Sequence, residues 1–210
     1  MTTILITNDT LAPTDFTNVQ EALSRFLAKF TPAWKLDVKV ITDGTVAHDM
    51  VVNITDKGRR LGAAGFHNVV AGVPTSWCSP KSSGRIYGHY SKPLIVKGKQ
   101  LRAETFTPGL VATLCHEVSE MLVDPVIANY SAKDSLGREW LIEVGDHVFG
   151  SYKLEIVSGN NCSIPDATTP AFYDLAGKAP FSIFGGAKAP FTMTPKGYGY
   201  YKGVKGLTKI

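Results

Sequence analysis

Apolar residues recur along this chain with two spacings, and the places where each spacing starts and stops mark the expected elements. Residues 3–7 are a short β-branched run ending at Asn8-Asp9, which predicts a first strand and a turn. Phe16, Val19, Leu23, Phe26, Leu27 and Phe30 then return at three- and four-residue steps, predicting a helix with one apolar face, capped by Asp15 and stopped by Pro32. Residues 36–42 alternate and meet Asp43-Gly44, and residues 50–55 are a further apolar run, so both read as strands. Residues 61–74, rich in glycine and small side chains, read as a loop or irregular edge where backbone closely approaches another group. Residues 74–78 and 94–96 are shorter strand candidates.

The clearest helical pattern spans residues 107–125. Thr107 is the expected cap, Pro108 is tolerated in the first turn, and Asp124-Pro125 closes the helix because a residue before proline is pushed out of the helical region. At about 100° per residue, Leu110, Val111, Leu114, Val118, Met121 and Leu122 fill one side, and Cys115 falls with them. Thr113, His116, Glu117, Glu120 and Asp124 share the other. Downstream, residues 140–146 read as a strand turning at Gly145, residues 151–157 as another strand, and residues 160–174 as turn-rich. Residues 179–206 alternate aromatic residues with Pro, Gly and Lys and carry no helical pattern. The expected class is α+β: an upper domain over residues 1–125, with a twisted mixed sheet, a backing helix and the acidic helix, and a smaller irregular lower lobe over residues 126–210.

Composition narrows the class of protein. With 210 residues and 44% hydrophobic content, the chain can bury a full core. Cys78, Cys115 and Cys162 are odd in number and lack a CxxC spacing, which argues against a disulfide framework and for a reducing compartment. No apolar run is long enough to span a membrane and no secretory pattern opens the chain, so a cytoplasmic location is expected. The net charge of +4 is modest and its lysines and arginines are dispersed, so nucleic acid is not an expected partner; Lys202, Lys205 and Lys209 among the terminal tyrosines read as a solvated tail. Tyr173, Tyr198, Tyr200 and Tyr201 either line a cleft or simply pack.

The acidic arc carries the candidate chemistry. No Lys or Arg lies on it, and each like-charged pair, Glu117/Glu120 and Glu120/Asp124, costs about 0.2–0.5 kcal/mol. One reading is a solvated acidic face. The other is a missing cation: His116 and Glu120, one turn and about 6 Å of rise apart, converge on one ion, with Glu117 beside it. Asp146 is the expected third ligand and Glu143 its outer support, while Asp124 joins only if the helix unwinds and otherwise orients a neighbouring segment. This His-and-carboxylate donor set admits zinc, manganese or calcium. His67, in a Gly-rich stretch, reads first as a local hydrogen-bonder, and His147 adjoins Asp146.

The strings ALSRFLAKFTPAW, LGAAGFHN, HEVSEMLVDP, EVGD, TTPAFYDL and GYGY resemble a family of zincin-like proteins of bacteria and phages, more distantly similar to the plant exordium-like proteins. HExxExxxDP followed by ExxD is the most specific part; Glu120 stands where the HExxH helix of zinc metallopeptidases has its second histidine. The resemblance implies a zincin fold, an edge strand that binds substrate, and Glu117 as general base for water activated by the ion. It places His67 beside the cleft, as an oxyanion stabiliser or an extra ligand. Two functions follow from it: a metal-dependent hydrolase acting on a peptide or protein substrate, or an inactive structural or binding protein, such as a component of a phage virion, with protein partners and a structural ion or none.

Overall fold

Five strands in the order β2-β1-β3-β5-β4 make the sheet against which the site is built. In the computed structural model, which describes residues 1–57, 63–96, 99–102, 105–126, 129–203 and 206–210, these are β1 (Thr2–Asn8), β2 (Val38–Ile41), β3 (Met50–Ile54), β4 (Gly65–Val70) and β5 (Val73–Cys78). β2, β1, β3 and β5 run parallel, and β4 returns antiparallel to β5 as the edge. The parallel strands are joined through α1 (Pro13–Trp34) and loops, and the combination of helices with a mixed sheet is the α+β class.

α1 is longer than its pattern suggests. Pro13 occupies its first turn, Ala12 is the N-cap, and Asp15 sits inside the first turn, where it accepts a hydrogen bond from the Tyr87 hydroxyl at 2.6 Å instead of capping. Pro32 does not stop the helix, which runs on to Trp34 and ends at Lys35 in the left-handed region. The extra residues are held by tertiary contact: Trp34 Nε1 donates to the Thr168 carbonyl at 2.8 Å, and its ring lies 6.2 Å from those of Phe30 and Tyr173.

The glycine-rich stretch is another departure. Residues 58–62 lie outside the described residues, but residues 65–70 are the regular strand β4, joined to β5 by the two-residue turn Ala71-Gly72 with φ of 49° and 85°. Two successive positive φ angles match the twist of a tight hairpin. The same device, Ser158-Gly159 with φ of 48° and 80°, joins β12 (Tyr152–Val157) to β13 (Asn160–Pro165), so part of the region expected to be turn-rich is a paired strand.

Between these units lie the helical turn α2 (Pro80–Ser83), the pairs β6 (His89–Ser91) with β9 (Thr105–Thr107) and β7 (Leu94–Val96) with β8 (Lys99–Arg102), and the acidic helix α3 (Leu110–Val123). Thr107 ends β9 and does not cap α3. The N-cap is Gly109, and the first helical N–H groups are taken by a neighbouring loop: Leu110 donates to the Arg85 carbonyl at 2.8 Å and Val111 to the Ile86 carbonyl at 3.0 Å. Gly109 is needed there, since a Cβ would sit 2.9 Å from both carbonyl oxygens. Asp124 closes the helix ahead of Pro125, as expected.

The chain finishes with β10 (Ser131–Lys133), β11 (Glu139–Leu141), β14 (Tyr200–Gly203) and β15 (Gly206–Lys209) as a four-stranded sheet. The C-terminal segment is therefore paired in a sheet and not a free tail, although Lys202 and Lys209 stay exposed on it. Lys202 pairs with Glu139 at 2.8 Å and Lys209 covers the Tyr198 ring at 3.8 Å, while Lys205 lies outside the described residues. One core runs across residue 125: Val144, Val157, Cys162, Ile164 and Ala167 join the cluster formed by α1, α3 and the large sheet. All three cysteines are buried and free.

Leu114 is fully buried in that core, whereas the Leu136 side chain is largely exposed at 75%. Leu114→Ala is expected to cost about 2–5 kcal/mol and Leu136→Ala within about 0.5 kcal/mol, read by denaturant unfolding with unchanged slope.

Candidate metal centre

α3 is largely buried, and the carboxylates of its acidic arc are buried with it. Glu117, Glu120 and Asp124 are 6%, 4% and 1% exposed, which rules out the solvated-face reading. The opposite side packs as expected, with Leu110, Leu114, Cys115, Val118 and Met121 at zero exposure. A helix that is apolar on one face and carboxylate-rich on a buried second face needs partners for those charges from other elements.

Three elements supply the surroundings. From α3 itself, His116 and Glu120 point together, Nε2 to Oε2 3.3 Å apart, as their one-turn spacing dictates. A short 3₁₀ turn at Asp146–Val148 presents Asp146, whose Oδ1 is 3.4 Å from the same His116 Nε2. The edge strand β4 contributes the third side: strand alternation directs Gly65 and His67 toward α3, while Phe66 faces away and stacks on Trp77 at 4.9 Å. His67 Nδ1 lies 3.2 Å from Glu117 Oε2 and 3.9 Å from Glu120 Oε2.

Two glycines make room for this convergence. A Cβ on Gly65 would lie 2.5 Å from Thr113 Cγ2 and 2.8 Å from Glu117 Oε1, and one on Gly145 would overlap the His116 imidazole. Gly65 is the close backbone approach expected in the glycine-rich stretch; the clearance role of Gly145 was not legible, because the sequence marks it only as a turn residue.

His116, Glu120 and Asp146 therefore form a buried group whose donor atoms lie within 4.8 Å of one another, as do His67, Glu117 and Glu120. The donor chemistry fits a divalent cation. Glu120 Oε1 is buried with no hydrogen-bond partner, and among the described residues no lysine or arginine pairs with these carboxylates. Asp124 does not join them; its Oδ2 accepts from the Asn129 and Tyr130 amides at 3.1 and 3.3 Å, which ties the following segment to the helix end. Glu143 is buried close by without entering either group. His147 stands apart, its Nδ1 2.6 Å from the Glu143 carbonyl, and burial lowers its pKa.

The titration behaviour reflects the shortage of positive charge. Burial together with Glu120, Asp146 and Asp124 pushes the Glu143 carboxyl up to about 9, and burial raises Glu120 despite His116. Burial opposes a charge on His116, yet Glu120 and Asp146 lift it well above the usual histidine value, and Glu117 and Glu120 lift His67 in the same way.

A cavity of about 320 Å³ opens on one side of the centre, lined in part by Gly65, Thr113, His116, Glu117, Phe149 and Tyr198. Burial and the neighbouring Asp146 raise the Tyr198 hydroxyl. Of the four tyrosines singled out, Tyr198 lines the cleft, whereas Tyr173 packs half-buried against Trp34 and His147. His67 is not among the residues lining the cavity, although it meets Glu117 from the same face of β4 as Gly65.

These features define an α+β protein with a buried candidate metal centre. No family model, curated protein or solved structure matches the chain. Among the described residues no helix is long and apolar enough to cross a membrane.

The raised groups set a pH dependence for the metal-free protein. Between pH 7 and 9 the folded state holds a proton on Glu143, pushed up to about 9, that the unfolded chain has released, and the upward shifts of His116 and His67 act in the same direction, so stability must fall as pH rises. His147 shifts the other way but is neutral in both states above pH 7. With chelator present, the melting temperature is expected to drop steadily across this window, and zinc or manganese is expected to flatten the dependence.

Proposed function

We propose that the protein is a metal-dependent hydrolase of the zincin-like type, acting on peptide bonds. The observation that carries the proposal is the geometry around His116. His116, Glu120 and Asp146 are the residues that would hold one divalent ion, zinc being the best match to a nitrogen-and-carboxylate set and manganese or calcium the alternatives. An ion there supplies a Lewis acid that acidifies water and polarises a carbonyl.

The chain's own residues account for the remaining requirements. Glu117 lines the cavity next to His116 and is in place to take a proton from the attacking water and return it to the leaving amine. His67 holds the other side of the Glu117 carboxylate at 3.2 Å and fixes its rotamer. Gly65 leaves the cavity wall open at the edge strand, where an extended substrate has room to approach. Phe149 and Tyr152 add apolar surface to the wall that limits water access.

A purely structural ion is the second reading, favoured by one observation: Asp146 belongs to a segment downstream of the helix, so an ion would staple the two together. Phage-particle or other assembly roles belong to that reading. In either case the ion stabilises the native state, by about 2.7 kcal/mol at a hundredfold excess over Kd, and chelator is expected to lower the melting temperature accordingly. The readings part at Glu117. Glu117→Gln is expected to keep the ion held by His116 and to lose at least about 10²-fold in casein or peptide-library cleavage. Background cleavage by wild type and variant alike, in protein shown to hold its ion, would leave the structural reading standing.

A further inference from the structure

We propose that His67, Glu117 and Glu120 form a second divalent-cation site that shares Glu120 with the first, and that filling it takes Glu117 out of service as a base. The functional half of this inference rests on the hydrolase reading; the binding half stands on the coordinates of the three side chains alone.

The three side chains come from two elements, β4 and α3, and are 7%, 8% and 6% exposed. Their donor atoms, one imidazole nitrogen and two carboxylate oxygens, lie within 4.8 Å of one another. A single His67–Glu117 hydrogen bond would account for the 3.2 Å contact, but not for Glu120. Its Oε2 lies 3.9 Å from His67 Nδ1 and 3.3 Å from His116 Nε2, between the two histidines. Among the described residues its Oε1 is buried and has no hydrogen-bond partner. One oxygen set between two imidazoles and a second left unpartnered are what a carboxylate needs to bridge two ions, which in two-metal sites sit about 3.5–4 Å apart.

Charge orders the two sites. Glu117, Glu120 and Asp146 together exceed the charge of one divalent ion by a single negative charge, whereas two ions exceed the three carboxylates by one positive charge. The second ion therefore binds more weakly than the first. Glu117 cannot accept a proton through a carboxylate already ligated to an ion, so metal in excess is expected to suppress the hydrolysis that the first equivalent supports.

The test is ion stoichiometry of the full chain, by equilibrium dialysis against zinc and separately manganese followed by elemental analysis. Wild type is expected to take up one ion per chain at low concentration and a second in excess. His67→Phe and Glu117→Gln are expected to stop at one, and doubly loaded manganese protein is expected to give the exchange-broadened resonance of a coupled pair that both variants lack. One ion in wild type at every concentration would overturn the second site and leave the first untouched; no ion at all would end the metal reading of both. Two ions in both variants would place the second elsewhere and also overturn the proposal. Should His67→Phe fail to fold, the wild-type resonance and Glu117→Gln decide the matter.

Discussion

Buried negative charge that no lysine or arginine among the described residues pairs with is the constraint on which this structure turns. Glu117, Glu120, Asp124, Glu143 and Asp146 are all at most 9% exposed around one end of α3. Taking ionised carboxylates out of water is costly unless a proton, a hydrogen-bond donor or a cation meets each of them. Asp124 Oδ2 is met by backbone amides, although Asp124 Oδ1 is buried with no hydrogen-bond partner among the described residues, and Glu117 is met by His67. Glu120 and Asp146 share His116, and Glu143 is buried beside them, so burial together with those neighbouring carboxylates holds Glu143 protonated far above its ordinary range. A divalent ion held there would replace those protons with a charge that needs no titration, so the same residues that strain the metal-free protein are the ones that could hold an ion.

The fold keeps that charge in place by packing most of the helix surface and leaving Thr113, His116 and Glu117 to line the cavity. The apolar face of α3 belongs to the main core with α1 and the sheet, and β13 and the segment after residue 140 complete the enclosure. With its N-terminal amides tied to the carbonyls of Arg85 and Ile86 and its C-terminal residue tied to Asn129 and Tyr130, the helix has little freedom to slide or rotate. Such fixation matters for any ion site, because a displacement of about an ångström alters ligand geometry enough to be felt in affinity and rate. Gly65 and Gly145 are part of this fixation: each lets a neighbouring backbone reach the helix surface where a side chain would hold it off.

The two hairpins show how a close approach of this kind is built. β4 and β13 are each set by a two-residue turn with positive φ at both positions, and each then lies against α3. In β4 the two-residue period of the strand does the rest. It delivers Gly65 and His67 to the helix and sends Phe66 to the opposite face, so one strand both clears space for Glu117 and pairs with it.

The sequence by itself determined the elements whose periodicity is strong. β1, β3 and β5, the apolar face of α1 and the two faces of α3 were all legible, because spacing of apolar residues is a local property. Helical spacing also brought His116 and Glu120 together, whereas the strand expected over residues 140–146 ends at Leu141 and Asp146 comes from the 3₁₀ turn beyond it. Tertiary structure decided what depends on neighbours distant in the chain. Pro32 failed to end α1 because Trp34 finds a buried hydrogen bond at Thr168, and Thr107 gave up the cap of α3 because carbonyls from residues 85–86 took its place. Likewise, the acidic face proved buried, and His67 met Glu117 fifty residues away, because a hairpin laid the edge strand against the helix. Local spacing fixes which residues share a face; only packing decides whether that face meets water, a partner side chain or an ion.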